Sequence, residues 1–295
     1  MLYNQLAVIK KKEMKKIILL TLTILVGLNS RAQDVIPFSL TDSGHIVIEA
    51  KVDSVSGTFI FDTGAGLNMF FGDFPNKLGQ RETNNFFVGH RATGEAMKVP
   101  IYHSNVLSIG NREFKNQIYS TFDINIGKID GIISLQAFEN LPVIIDYEKK
   151  ELSFRELKDT EKKKYIDIQI ADYAGKSLDI FTYIKINNKV TIQVILDSGA
   201  GANAFWIDES FSKSLSIDLS TFDKTERKSE FDANKIFKIY NGLISSISTE
   251  NNLSKVEKPR VIFVEGLIYE GKTSIEWLGK KIAISIPDKK IYIIK

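Results

Sequence analysis

The chain contains no cysteine. Disulfides, thiolate nucleophiles and cysteine-ligated metal centres are therefore excluded, as is lipid attachment at a cysteine. Histidine is nearly as scarce. The three in 295 residues, His45, His90 and His103, follow no metal-ligand spacing, so each is expected to be a surface or hydrogen-bonded side chain. No long apolar run follows Leu28, so the bulk of the chain is expected to be soluble. At 43% hydrophobic and 25% charged it can bury a substantial core.

A strong charge of either sign is missing as well. The whole chain carries +3, but residues 1–32 contribute +5 of that (five lysines and Arg31 against Glu13). What remains is −2, which gives no electrostatic case for nucleic acid. The same segment has a recognisable order. Lys10, Lys11, Lys12, Lys15 and Lys16 precede an apolar run from Ile17 to Leu28, and Ser30-Arg31-Ala32 follows. This is the pattern of a secretory signal cleaved near Ala32, with Met14 as an alternative start. An uncleaved anchor is the other reading, although twelve residues make a short membrane span. The expected result is an exported protein, periplasmic or secreted, that begins at Gln33 with no membrane segment in its mature form.

Against these absences stands one repetition. Phe61-Asp62-Thr63-Gly64-Ala65-Gly66 and Leu196-Asp197-Ser198-Gly199-Ala200-Gly201 each place an Asp after an apolar run, then a small hydroxyl residue, then Gly-Ala-Gly. The two Asp residues are 135 positions apart. Asp130-Gly131-Ile132-Ile133 follows the first motif and Glu265-Gly266-Leu267-Ile268 follows the second, each with its Gly 69 positions after the Asp. Each half closes on a similar strand–turn–strand pattern, 143–154 and 282–293. The charged stretch from Glu156 to Lys164 reads as a linker. The expected organisation is a leader at 1–32, a first unit at 33–158 and a second at 159–295, related by duplication.

Most segments read as strands: Ile46 to Val52 by alternation, Thr58 to Phe61 and Thr191 to Leu196 by β-branched and apolar content. Asp42-Ser43-Gly44, Asn187-Asn188 and Asp288-Lys289 are turn signals. Helical pattern is confined to 135–141, 208–215 and 273–278. The expected class is all-β, two closed barrel-like lobes with few short helices.

Two carboxylates forced together cannot both ionise cheaply, and such a pair can activate water and protonate a carbonyl with no metal or cofactor. Other chemistries lack their local setting. Ser198 is not in a nucleophile elbow, and Gly64-Ala65-Gly66 is followed by no Lys or Ser/Thr in register for a phosphate loop.

The Asp-Thr-Gly and Asp-Ser-Gly motifs, each with its downstream Asp/Glu-Gly-apolar-apolar, resemble the pepsin- and retropepsin-like aspartic proteases, most closely exported bacterial members with two lobes in one chain. The resemblance covers roughly residues 34–295. It implies a cleft between two lobes, with Asp62 and Asp197 as the catalytic pair. Thr63, Gly64, Ser198 and Gly199 would support the pair. A flap is implied over the cleft, its tip at Ala92, Thr93 and Gly94, with Phe231 a candidate lining residue. The implied protein is a monomer that takes a peptide or protein substrate. The motif departs from the family at Ser134 and Tyr269, where a further Gly is usual, and Tyr269 is expected to crowd the loop behind Asp197. A peptide-binding scaffold without catalysis is the alternative function.

Overall fold

The computed structural model describes residues 35–79, 81–229 and 235–294. The leader read at 1–32 and Phe231 lie outside the described residues. The fold is mostly β. Among the described residues there are 24 strands, one α-helix at Phe211–Leu215 and a few 3-10 turns. The helical segments expected at 135–141 and 273–278 are single 3-10 turns, Leu135–Phe138 and Glu276–Leu278. No helix among the described residues is long and apolar enough to cross a membrane.

Local sequence explains the hairpins that carry the site. In Ile46–Val52 every second residue is buried, and Val55–Asp62 alternates likewise. Asp53 and Ser54 join them with φ of 46° and 73°, the paired positive angles of a tight hairpin whose twist matches its strands. In the second half Asn187 and Asn188, at φ of 53° and 54°, open the three-residue turn 187–189 that joins Leu178–Ile186 to Val190–Leu196. The turn read at Asp42-Ser43-Gly44 is present, with Gly44 N–H donating to Thr41 O at 2.9 Å and Gly44 at φ +86°.

The two halves repeat strand by strand. The first builds an eight-stranded sheet in the order Ser39–Leu40, Ile46–Val52, Val55–Asp62, Gly131–Ser134, Asn68–Phe71, Arg112–Phe122, Ala96–Ile109, Arg81–His90. The second places Gln169–Asp172, Leu178–Ile186, Val190–Leu196, Gly271–Thr273, Phe205–Asp208, Arg260–Val264, Ile236–Leu243 and Asp223–Lys228 in the same order, and adds the hairpin Ser246–Thr249 and Lys255–Glu257. The directions match too. Each Asp-bearing strand runs parallel to the short Gly-led strand beside it, Phe59 opposite Gly131 and Val194 opposite Gly271.

That register corrects the spacing read from the sequence. The counterpart of Asp130-Gly131-Ile132-Ile133-Ser134 is Glu270-Gly271-Lys272-Thr273-Ser274, so the second interval from Asp to Gly is 74 residues and not 69. Matching side-chain bonds support the register. Asp130 Oδ2 accepts from Thr58 N–H at 2.9 Å, and Glu270 Oε2 from Gln193 N–H at 2.6 Å. Glu265-Gly266-Leu267-Ile268 forms the turn after Arg260–Val264, with Gly266 at φ +76°. Its likeness to the true motif is one of composition only.

A third sheet of six strands joins the halves: Val35–Pro37, Glu151–Phe154, Val143–Asp146, Lys281–Ser285, Lys290–Ile293, Tyr165–Asp167. At its centre Val143 faces Ile284, Ile144 faces Ala283 and Ile145 faces Ile282, a pairing symmetric about the Ile144–Ala283 pair. One buried cluster runs from Ile46, Phe59 and Phe61 through Val143 and Leu196 to Ile284, so both Asp-bearing strands share a core with this sheet. Each fully buried Val, Ile or Phe contributes roughly 1.5–3 kcal/mol, which anchors the polar loops at the strand ends.

Candidate active site

Asp62 ends the strand Val55–Asp62, and Asp197 directly follows Val190–Leu196. The residues after each Asp lock the two loops together reciprocally. Thr63 Oγ1 donates to Leu196 O at 2.7 Å and accepts from Ser198 N–H at 3.0 Å. Ser198 Oγ donates to Phe61 O at 2.8 Å and accepts from Thr63 N–H at 3.0 Å. All four bonds are out of water, where leaving a donor or acceptor unpaired costs roughly 1–3 kcal/mol each. Thr63 and Ser198 thus join the two loops through four specific bonds.

Gly64 and Gly199 are required for the close approach. A Cβ at Gly64 would lie 2.4 Å from Asp197 Cγ, and one at Gly199 would lie 2.2 Å from Asp62 Oδ2. Each carboxyl therefore packs against the opposite loop's glycine. Asp62 Oδ1 accepts the Gly64 N–H at 2.8 Å. Burial, then the charge of the neighbouring Asp197, push the Asp62 carboxyl well above the usual carboxylate range. Asp197 Oδ1 is buried, and no N–H or O–H among the described residues donates to it. A proton on Asp62 is the donor this geometry supplies.

Ser134 and Ser274 are equivalent, and each stitches its loop. Ser134 Oγ donates to Ala65 O at 2.5 Å, while its N–H donates to Asn68 Oδ1 at 2.9 Å. Ser274 Oγ accepts from Ala204 N–H at 3.2 Å, while its N–H donates to Ala204 O at 2.9 Å. Tyr269 therefore does not occupy the position expected of it. It precedes the Gly-led strand, packs its ring against Phe181 at 5.8 Å between centroids, and lines a cavity beside the Asp62 loop.

Ala92, Thr93 and Gly94 form the tip of the hairpin built by Arg81–His90 and Ala96–Ile109. The tip crosses to the second half. Ala92 O accepts the Ile268 N–H at 2.9 Å, and Thr93 O accepts from the Lys235 ammonium. Gly94 has φ +87°, and a Cβ there would lie 3.1 Å from the Ile268 side chain.

Two participants carry no signal in the sequence motifs, and a third is legible there only as a turn. Lys272 Nζ lies 2.9 Å from Asp197 Oδ2, sits 4.4 Å from the centre of the Trp206 ring and is 15% exposed. It pulls Asp62 downward, against the stronger effects of burial and of Asp197. Asp179, near the start of Leu178–Ile186, faces the same cavity as Tyr269; burial and the Asp197 charge push its carboxyl up to about 6. The turn at Asp42-Ser43-Gly44 is a brace: Ser43 O accepts the Ala202 N–H at 2.8 Å, and His45 Nε2 lies 3.0 Å from Gly199 O. A carbonyl can only accept, so Nε2 donates there, and Nδ1 lies 2.7 Å from Ser43 Oγ. His45 is thus the hydrogen-bonded histidine its isolation suggested. Groups of three or more metal-ligating side chains are absent among the described residues.

Comparison with protein-family models finds no match for the chain, and no match is found among curated proteins.

Proposed function

We propose that the protein is an exported aspartic endopeptidase, a monomer whose two similar lobes flank a peptide-binding cleft. The observation that carries this reading is the reciprocal Thr63–Ser198 lock, which joins the two Asp loops so that each carboxyl packs against the other loop's glycine. The matched strand order of the halves supports two lobes of acid-protease type, and the Ala92–Gly94 hairpin supports a flap. A substrate would lie extended beneath it, bound through main-chain hydrogen bonds and side-chain pockets.

The surroundings of the pair suggest a division of roles. Lys272 pairs with Asp197, so the single negative charge rests on Asp197 and the shared proton on Asp62. Asp197 takes a proton from a water held between the carboxyls. The hydroxide formed adds to the scissile carbonyl while Asp62 donates its proton to that carbonyl's oxygen. Collapse of this gem-diol breaks the C–N bond as Asp197 gives its proton to the leaving amine and Asp62 takes one back from a diol hydroxyl, which leaves the carboxylic acid and restores the pair. Neither metal nor covalent intermediate is invoked.

The test is cleavage of a pool of unfolded peptides between acidic and neutral pH by the purified protein and by its Asp62→Asn and Asp197→Asn variants. Cleavage by the unaltered protein that disappears in both variants, with the β signature of their circular dichroism unchanged, supports the mechanism. Cleavage that survives Asp62→Asn sinks it.

One observation favours the scaffold reading. The Lys272 ammonium covers Asp197 Oδ2, an oxygen that a base needs. If the unaltered protein binds peptides and cuts none at any pH, the scaffold reading stands.

A further inference from the structure

The cavity beside the Asp62 loop has a volume of about 260 Å³. Its walls are mainly apolar: Leu67, Met69, Phe87, Val99 and Tyr269, with Met97. Gly64, Ala65 and Gly66 form the side nearest Asp62, and the flap strands form the opposite side. Into this lining the second half inserts one carboxylate, Asp179. Its position is fixed by the backbone, since Leu178 N–H donates to Gly66 O at 2.8 Å. Gly66 permits that approach, because a Cβ there would lie 2.1 Å from Ser177 Oγ. Asp179 is mostly buried, yet no Lys or Arg among the described residues pairs with it; the nearby cation, Lys272, is committed to Asp197.

We propose that this cavity is a side-chain pocket for a basic residue of the bound peptide, with Asp179 as the counter-ion. The proposal rests on the peptide-binding reading of the cleft and adds a substrate class to it. A Lys or Arg side chain matches both parts of the lining. Its methylene stem covers apolar wall, and its charged head meets the carboxylate. An uncharged apolar side chain would leave Asp179 buried without a partner, while an acidic one would face like charge. The ionisable groups around the pocket are Asp179, Asp197 and Asp62, with Lys272 beyond Asp197, Tyr269 in the wall and His90 in the flap strand. The carboxyl of Asp179, pushed up to about 6, is charged at neutral pH and loses its charge in mild acid. Preference for the basic residue is therefore strongest above that value and fades below it.

The experiment uses three peptides of one sequence, differing only by Lys, Leu or Glu at a single residue moved in turn across the scissile region. Two readouts are taken: kcat/KM with the unaltered protein, and binding of the same peptides to the Asp62→Asn protein, which does not depend on turnover. The expected result at pH 7.5 is a Lys-over-Leu preference of at least about tenfold at one subsite. It shrinks at pH 5 and is lost in Asp179→Asn, measured as the ratio between peptides in the same protein. Asp179→Lys reverses the preference towards Glu; if that variant does not fold, Asp179→Asn and the pH series decide alone. No Lys preference in either readout, or one that Asp179→Asn leaves intact, overturns the pocket while leaving the endopeptidase reading standing. Loss of turnover with the binding preference retained does the reverse.

Discussion

Lys272 stands in the second half where Ile132 stands in the first. Ile132 lies opposite Ile60 and Lys272 lies opposite Ile195, on equivalent strands at equivalent register. The duplication thus places a cation beside Asp197 that Asp62 has no counterpart for, and the two carboxyls of a nearly symmetric pair become chemically distinct.

Replacing Lys272 with Met keeps the stem and removes the charge. Lys272 favours the charged form of Asp62, so its loss lets that carboxyl rise further. The pH profile of peptide cleavage is expected to move to higher pH. A profile that does not move denies Lys272 this role. Cleavage that appears only in Lys272→Met identifies the ammonium as a latch on a silent pair.

The pair should also make the fold less stable as pH rises. The folded carboxyl of Asp62 binds its proton well above the ordinary value of 3.8, so between that value and the raised one the folded state holds a proton that the unfolded state has released. Stability then falls with rising pH across that window. Asp62→Asn removes the titration and offers Asp197 Oδ1 an N–H donor. The variant is expected to gain about 1 kcal/mol at pH 7, a rise in Tm of roughly 2–4 °C, and to lose that gain near pH 3. Thermal melts at both pH values check it. An unchanged or lowered Tm at pH 7 contradicts the proton-sharing account.

How much of this was legible in the sequence depends on the range of the interaction. The Asp-bearing strands could be read because an apolar run ending in Asp-Thr/Ser-Gly is local. The positive-φ turn at Asn187-Asn188 is local too. The second Gly-led strand was mislocated because Glu265-Gly266-Leu267-Ile268 copies its composition, whereas strand pairing to Val194–Leu196 selects Gly271–Thr273. Lys272 broke the apolar pattern that would have marked the true strand. Asp179 belongs to no motif; the Leu178–Gly66 backbone bond, a contact distant in sequence, ties its strand to the Asp62 loop. Asp42-Ser43-Gly44 was readable as a turn, but its brace on Ala202 is a contact between halves.

The lock can be broken without touching either carboxyl. Ser198→Ala leaves Thr63 N–H and Phe61 O without partners in a buried place. Each orphaned group costs roughly 1–3 kcal/mol, so chemical denaturation should report a loss of a few kcal/mol. Ser198→Thr keeps the hydroxyl and should recover most of it, as the Thr at position 63 does in the other half. A loss below about 0.5 kcal/mol in Ser198→Ala would mean that the lock contributes little to stability.

Gly64→Ala separates geometry from stability more sharply. The added methyl would sit 2.4 Å from Asp197 Cγ, so either the Asp62 loop or the Asp197 carboxyl must shift. A displacement of about 1 Å at reacting groups costs on the order of a hundredfold in rate. Cleavage is therefore expected to fall by at least that factor. Peptide binding should fall less than turnover, because the Ala92–Ile268 bond does not involve the carboxyl pair, although Gly64 also lines the Asp179 cavity. The kcat of Gly64→Ala against its KM checks the argument. A variant with a raised KM and an intact kcat would place the importance of Gly64 in substrate binding and not in the alignment of the pair.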